Sequence, residues 1–481
     1  MLSSHQKIVC PLATAAHKSP DAVYLATDER DFRYGEFSQI VSLAAEELRH
    51  HGADSSPVLA VHADNSWQLV ALIWAAIRTG KIICPLSTRL PASAAQEIVE
   101  QELGTDLFWS APQITELFAA ILSSRASCST ASPPTTVNPA VPATMICSSG
   151  STGRPKIIVH SLQNHVANAA GANQVVPLVP HDRWLLSLPL YHVGGMGVLF
   201  RCAMAGATVV IPGEAKSLSD LCQARQITHL SVVSTQLQRM LAESAPLDSL
   251  KTVLLGGGPM VPSLVRQAVE AGLPVRTTYG MSEMASQVTT SADWLQRQEQ
   301  IESALSSGSV LPGRQLHVTP DGEIWVRGES LMLGYWRSGQ IEPAVNDDGW
   351  FATGDRGHWN EAGELIVQGR IDNMFISGGE NIYPEEIEQA LLQLPGVQQA
   401  LVVPVPDYQF GERPVAFVER ATDKRPEEDD QWAERIRQQL QQELPKFKVP
   451  DRLLAWDSRI SQGGPKPSRA AALNIARERF G

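Results

Sequence analysis

At 481 residues, 43% of them hydrophobic and 19% charged, the chain is long enough for roughly two to four domains with substantial cores. A formal net charge of −12 argues against nucleic acid or an anionic membrane surface as the main partner. Six cysteines (Cys10, Cys84, Cys128, Cys147, Cys202 and Cys222) are widely spaced with no Cys-x-x-Cys pair, which argues against a disulfide framework or a zinc site and favours a reducing compartment. The N-terminal stretch lacks the apolar core of a signal peptide, and no run approaches the ~18 apolar residues of a membrane span. A soluble, cytoplasmic protein is the expectation.

In chain order, VSLAAEELRHHG (41–52) reads as an amphipathic helix ending at Gly52, PVLAVHA (57–63) as a buried strand, and WQLVALIWAAIRTG (67–80) as a helix stopped by Gly80. This alternation predicts βαβ units and a largely parallel sheet. Residues 123–142, rich in Ser, Thr and Pro, read as a surface connection. The stretch SSGSTGRPK (148–156) follows, between the strand-like ATMIC and IIVHS, so it joins two strands. Its small hydroxyl residues, glycines and lysine suit a loop that holds phosphate through turn amides, hydroxyls and Lys156. It is not a Walker A loop: Lys156 follows Pro155 and precedes Ile157. A plain Gly/Ser hairpin tip is the bland alternative.

From 181 to 290 the alternation resumes with WLLSLPL, ATVVI, HLSVVS, TVLLGGG and VRTTYG. Near 320 the texture changes, and DGEIWVRG and GELIVQGR read as antiparallel strands. A compact α+β unit starts after a boundary at about 370–373. Its helix YPEEIEQALLQLPG has Pro384 near the start, Glu385, Glu386 and Glu388 in the first turns, and the apolar stripe Ile387, Ala390, Leu391 and Leu394.

SSGSTGRPK resembles the phosphate-binding signature of the adenylate-forming superfamily: acyl-CoA synthetases, peptide-synthetase adenylation domains and luciferases. TTYGMSEMAS (277–286), WFATGDRG (350–357), GRIDNMFISGGENIYPEEIE (369–388), LPKFKVPDRL (444–453) and GGPKPSR (463–469) are similar to further signatures of that family, in the family's order and across essentially the whole chain. The resemblance implies an α/β fold: a large N-terminal domain (1–370) of β/α subdomains plus a β-rich subdomain, and a small mobile α+β C-terminal domain (371–481) hinged near Asp372. It implies ATP, Mg²⁺ and, as a substrate, coenzyme A. Ser148, Ser149, Gly150, Ser151, Thr152, Gly153 and Lys156 would hold phosphates, with Glu283 and Thr152 on the magnesium. Gly256, Gly257 and Gly258 would approach the purine edge and Tyr279 the adenine face, among Thr278, Gly280 and Ser282. Asp355, at a predicted strand end, and Arg370 would meet the ribose.

The same resemblance makes Lys466 the catalytic lysine of adenylation, stabilising charge at the α-phosphorus. The family pattern there is Gly-Lys, whereas this chain has Gly464-Pro465-Lys466, and Lys448 is the competing assignment. Gly378 and Gly379 would line a thiol tunnel after the C-terminal domain rotates about Asp372, and His192 and Gly280 would lie beside the reacting acid. Arg201, among apolar neighbours, fits either a second substrate carboxylate or a structural salt bridge.

Within the superfamily, WLLSLPLYHVGGMG, FRCAMAGA, VLLGGGPM, SLMLGYWRSGQ and NDDGWFATGDRG are similar to the bacterial ortho-succinylbenzoate–CoA ligases of menaquinone biosynthesis, whose acid carries an aromatic and a succinyl carboxylate. Another aryl or short-chain acyl-CoA synthetase, an amino-acid-activating enzyme and a nucleotide-binding homologue without catalysis remain alternatives. The partners implied are a small carboxylic acid, ATP and CoA, without nucleic acid or a membrane span; a homodimer is left open.

Overall fold

A computed structural model describes residues 7–51, 56–124, 135–148, 155–215, 217–243, 247–258, 260–301, 305–420, 429–461 and 467–480. The fold is α/β with a two-domain architecture. One sheet has seven strands in the order Gln340–Glu342, Gly334–Arg337, Lys156–Ser161, Pro142–Ser148, Ile82–Pro85, Val58–His62, Phe108–Ser110. Its Val58, Ile82 and Phe108 strands run parallel, with helices crossing between them. Pro142–Ser148 then doubles back antiparallel onto Lys156–Ser161, with Ser148 opposite Lys156. The strands on either side of the phosphate-type stretch are therefore paired antiparallel, as their strand-like sequences predict.

A second sheet of nine strands is parallel through its middle, from Val275–Met281 across Thr252–Gly256, His229–Val232, Arg183–Leu185 and Thr208–Val210 to Val23–Ala26. The early alternation thus serves two sheets rather than one, because Val23–Ala26 crosses to pair with Thr208–Val210. The largest core joins both sheets: Leu59, Val61 and Ile83 from one, Leu25, Trp184 and Val209 from the other. Helix Trp67–Thr79 belongs to this core, and its residues from Leu69 to Arg78 are all buried. Ser66 caps its start by accepting from the Leu69 amide, and Gly80, at φ 77°, ends it. Among the described residues no helix is long and apolar enough to cross a membrane.

The antiparallel strands expected near 320 form a four-stranded sheet: Arg314–Val318, Glu323–Gly328, Phe351–Trp359 and Leu365–Arg370. A last sheet contains Phe375–Ser377, Glu380–Ile382, Val397–Asp407, Gly411–Arg420 and Arg452–Ala455. Strand alternation gives it two faces. Val402 and Ala416 meet Ile387, Leu391, Ile436 and Leu440 on one side, while Val403 and Phe417 meet Ile475 and Ala476 on the other. Helix Pro384–Gln393 buries the predicted stripe. Glu388, on the same helix, is only 2% exposed and is paired with Arg469 at 2.7 Å.

Candidate active site

A cavity of about 1720 Å³ opens where these parts meet. Its walls include Ser148 and Lys156 from that antiparallel strand pair, Gly256 and Gly257, Thr278, Gly280, Ser282 and Glu283, and Arg370 with Asp372. His192 and Arg201 line its other end, and Pro467, Ser468, Arg469 and Ala470 close it from the C-terminal segment. Ser149, Gly150, Ser151, Thr152, Gly153 and Lys466 lie outside the described residues. Gly258 and Lys448 are described but are not among the lining residues, and Lys448 is tied to Glu386 at 2.7 Å.

Glu283 follows strand Val275–Met281 on the single turn Ser282–Met284. Three donors from distant segments fix that turn. His160 Nε2 donates to the Ser282 carbonyl at 2.7 Å, the Met332 amide to the Glu283 carbonyl at 2.7 Å, and Asn168 Nδ2 to the Met284 carbonyl at 2.9 Å. The next two residues, Ala285 (φ 52°) and Ser286 (φ 122°), hold left-handed backbone, which costs each about 1–3 kcal/mol. The strained reversal returns the chain against its own strand, and a Cβ on Gly280 would sit 2.3 Å from the Ser286 carbonyl oxygen. Burial pushes the His160 imidazole down to about 4, so at neutral pH it is an uncharged donor.

The Tyr335 hydroxyl donates to Glu283 Oε1 at 2.9 Å, and Lys156 Nζ lies 5.7 Å from the Tyr335 ring centroid. An anion and a cation thus face the cavity across one aromatic ring. No hydrogen bond to Glu283 Oε2 is recorded among the described residues, and a carboxylate beside a phosphate-type loop suits a hard divalent cation such as magnesium.

Asp355 corrects one expectation. It lies inside strand Phe351–Trp359 rather than at a strand end. Gly354, at φ 69°, and a register shift between Arg356 and Gly357 bend the strand there without stopping it. Tyr279 differs as well. Its ring is buried in the core with Ile158, Met284 and Ile324, and Thr278 and Gly280 rather than Tyr279 line the cavity, as period-two alternation dictates. Its hydroxyl donates to Asp355 Oδ2 at 2.6 Å, and Arg370 reaches Asp355 Oδ1 at 3.2 Å and Asp372 Oδ2 at 2.9 Å. Burial raises the Asp355 carboxyl despite that cation.

At the other end, helix Val193–Ala205 starts at His192, whose ring meets Tyr191 edge-on at 4.7 Å. Two turns on, Arg201 is 4% exposed. Its Nη1 donates to Gln287 Oε1 at 2.7 Å, its Nε to Asn173 Oδ1 at 3.1 Å, and its guanidinium lies 4.2 Å over the Trp184 ring. Nη2 has no hydrogen-bond partner and Arg201 forms no ion pair among the described residues, so the salt-bridge alternative finds no partner there. Burial lowers its pKa to about 9, which still leaves it charged at neutral pH.

Gly378 (φ 60°) and Gly379 (φ 88°) form the tip of the hairpin Phe375–Ile382 and are not among the cavity-lining residues. The sequence missed His160, Asn168, Tyr335, Gln287 and Asn173. None carries a local signal, because each acts on a segment far along the chain.

Residues 12–336 match the family described as AMP-binding enzyme, and residues 386–460 match the AMP-binding enzyme C-terminal domain. The 2-succinylbenzoate–CoA ligase of Salmonella typhimurium is 38% identical over 401 residues, 83% of each chain. The structure of an Escherichia coli MenE variant with bound OSB-AMS matches at TM-score 0.82 with 30% identity, covering 100% of both chains. The o-succinylbenzoate CoA synthetase of Bacillus subtilis in complex with the acyl-adenylate intermediate OSB-AMP matches at TM-score 0.83 with 26% identity, covering 97% of this chain and 98% of the other. The Bacillus subtilis protein has also been solved in complex with ATP and a magnesium ion, at TM-score 0.80 and 26% identity, covering 94% of this chain and 96% of that one.

Proposed function

The chain belongs to the AMP-binding enzymes and, within them, to the 2-succinylbenzoate–CoA ligases, and from that premise we propose that it joins 2-succinylbenzoate to coenzyme A in two steps. The succinyl carboxylate attacks the α-phosphorus of ATP, forming an acyl-adenylate and releasing pyrophosphate. The CoA thiolate then attacks the acyl carbon, and AMP leaves with the bonding pair.

Ser148 and Lys156, with Ser149, Gly150, Ser151, Thr152 and Gly153, hold the phosphates that depart. Glu283 and Thr152 hold the magnesium, which neutralises phosphate charge when bound. Gly256, Gly257 and Gly258 meet the purine, Asp355 and Arg370 the ribose, with Tyr279 orienting Asp355. His192 lies beside the reacting carboxylate. Lys466 stabilises the charge that develops in the first step. Supporting this, the residues just after it line the cavity, whereas the competitor Lys448 is engaged by Glu386.

The N-terminal domain is 1–370 and the C-terminal domain 371–481, pivoting at Asp372 between the strand ending at Arg370 and the one starting at Phe375. Rotation there would withdraw Lys466 and bring Gly378 and Gly379 to the thiol path. Their present place on a hairpin outside the cavity lining is consistent with a first-step arrangement.

The observation that carries the substrate is Arg201, a buried cation without a carboxylate among the described residues, in the same cavity as Glu283 and Lys156. A second carboxylate on the acid would complete it. ATP–pyrophosphate exchange and CoA-thioester formation should occur with ortho-succinylbenzoate and be at least tenfold slower with benzoate or medium-chain acids; equal rates would overturn the substrate. Lys466→Ala should abolish exchange yet largely spare thioester formation from supplied acyl-adenylate, and equal loss of both steps would overturn its role.

A further inference from the structure

Two neutral amides hold the Arg201 guanidinium, and their neutrality is the informative feature. Gln287 is 5% exposed and its side chain is wired at both ends. Oε1 accepts from Arg201 Nη1, while Nε2 donates to Thr290 Oγ1 at 2.8 Å and Thr278 Oγ1 at 3.4 Å. Both threonine hydroxyls donate to the Thr289 carbonyl, at 2.7 Å from Thr278 and 2.8 Å from Thr290. With their hydrogens committed, those hydroxyls accept from Gln287, which fixes the amide with its oxygen toward Arg201.

A glutamate has the same shape and could take the same hydrogen bond from Arg201. It would also bring a full negative charge to a cation that has none beside it. What separates the two residues on the Arg201 side is charge; on the far side a glutamate also gives up the Nε2 donor, and the Thr290 and Thr278 hydroxyls must turn to donate to it. Asn173 repeats the choice on the Nε side: its Oδ1 accepts from Arg201 Nε at 3.1 Å and its Nδ2 donates to the Arg201 carbonyl at 3.1 Å, so this amide too is oriented and neutral. Meanwhile Nη2 is buried without a hydrogen-bond partner among the described residues, and Arg201 lines the cavity. A buried, fully oriented guanidinium with one donor unspent and no internal counter-ion is a receptor held ready for an anion.

We propose that Gln287 is a specificity-determining residue: its neutral amide orients Arg201 while leaving the guanidinium's charge for the substrate's distal carboxylate, and Asn173 supports it in the same way. This rests on the reading of Arg201 as the receptor for that carboxylate, and it adds that selectivity for a doubly charged acid is set by the residues behind the arginine.

The test compares ortho-succinylbenzoate with 4-oxo-4-phenylbutyrate, which lacks the ring carboxylate, in steady-state assays of Gln287→Glu, Asn173→Asp and Arg201→Leu. Gln287→Glu should raise the KM for the diacid about a hundredfold, with the KM for the mono-acid and for ATP moving less than threefold. Loss of discrimination between the two acids is the signature, because general damage to the pocket would weaken both. Asn173→Asp gives an independent reading if Gln287→Glu does not fold, and is expected to shift the diacid KM at least tenfold. If Arg201→Leu raises the diacid KM but neither acidic variant does, the inference falls and the receptor stands. If Arg201→Leu leaves that KM unchanged, the receptor itself is wrong. An equal rise for both acids in Gln287→Glu also overturns the inference.

Discussion

Ser282, Glu283 and Met284 each give their carbonyl oxygen to a donor from another part of the chain, and two left-handed residues follow. The carboxylate of Glu283 is thereby aimed before any ligand arrives, which is how a site avoids reorganisation during reaction. His160→Phe leaves the part-buried Ser282 carbonyl without its donor, a loss of about 1 kcal/mol. We expect a lower melting temperature and a several-fold higher magnesium requirement for adenylation, with His160→Gln restoring part of both through its side-chain N–H. An unchanged magnesium requirement in His160→Phe would refute the positioning role. The motif makes Glu283 and Lys156 legible from sequence, since both stand in continuous signatures. His160 is not legible in that way: its bond to Ser282 spans 122 positions, and a lone histidine in a strand carries no sign of where its ring will reach.

Helix Pro384–Gln393 shows the same division one level up. Its period of 3.6 fixes the buried stripe of Ile387, Ala390, Leu391 and Leu394 from sequence alone. The acidic residues read as favourable charges at a helix start, which is true of any exposed helix. Burial of Glu388 was not legible, because its partner lies 81 positions on and enters from the last helix. Arg469 binds Glu388 at 2.7 Å and Glu385 at 3.2 Å, and Glu385 accepts from Asn373, next to the proposed hinge. One network thus ties the hinge, this helix and the segment behind Lys466. Arg469→Ala strands a buried carboxylate at a cost of about 3–5 kcal/mol. Denaturant unfolding should show that loss, and Glu388→Gln in the same background should recover part of it. A stability within about 0.5 kcal/mol of the parent, the range of an ordinary surface change, would contradict the network's importance. The strand around Asp355 was misread for a related reason: Thr-Gly-Asp looks like a strand end, but a left-handed glycine can bend a strand that its neighbours keep paired.

Across the whole molecule, the two large sheets share a core that contains ionisable rings as well as aliphatic ones. His160 and His165 lie beneath the Glu283 turn with ring centroids 5.1 Å apart, and His229 stacks on Trp184 at 5.1 Å. Burial lowers all three, His160 and His229 from 6.5 to about 4 and His165 well below its ordinary value. In the unfolded chain these rings take up protons near pH 6.5, whereas in the fold His160 and His229 do not until about pH 4, and His165 is held neutral by burial in the same direction. Their stabilising contribution is therefore complete above pH 6.5 and is lost progressively as pH falls through that window. Three such groups steepen the loss to as much as about 4 kcal/mol per pH unit. Urea unfolding at pH 7.5 and pH 5 should show a sharp fall in midpoint, and equal midpoints would refute the assignment. The sheets themselves were legible because strand and helix periods are local. Their partition was not, since pairing of Val23–Ala26 with Thr208–Val210 depends on which strand edges are left open.

The amides behind Arg201 also have a genetic side. Glutamine and glutamate codons differ by a single base, and so do those of asparagine and aspartate. The charge at this end of the cavity therefore stands one base substitution away from internal neutralisation, with no change in side-chain shape. A lineage that no longer met a doubly charged acid could lose that preference in one step, and the reverse change would restore it as easily. Acid preference would then drift quickly among proteins whose fold and nucleotide end stay fixed.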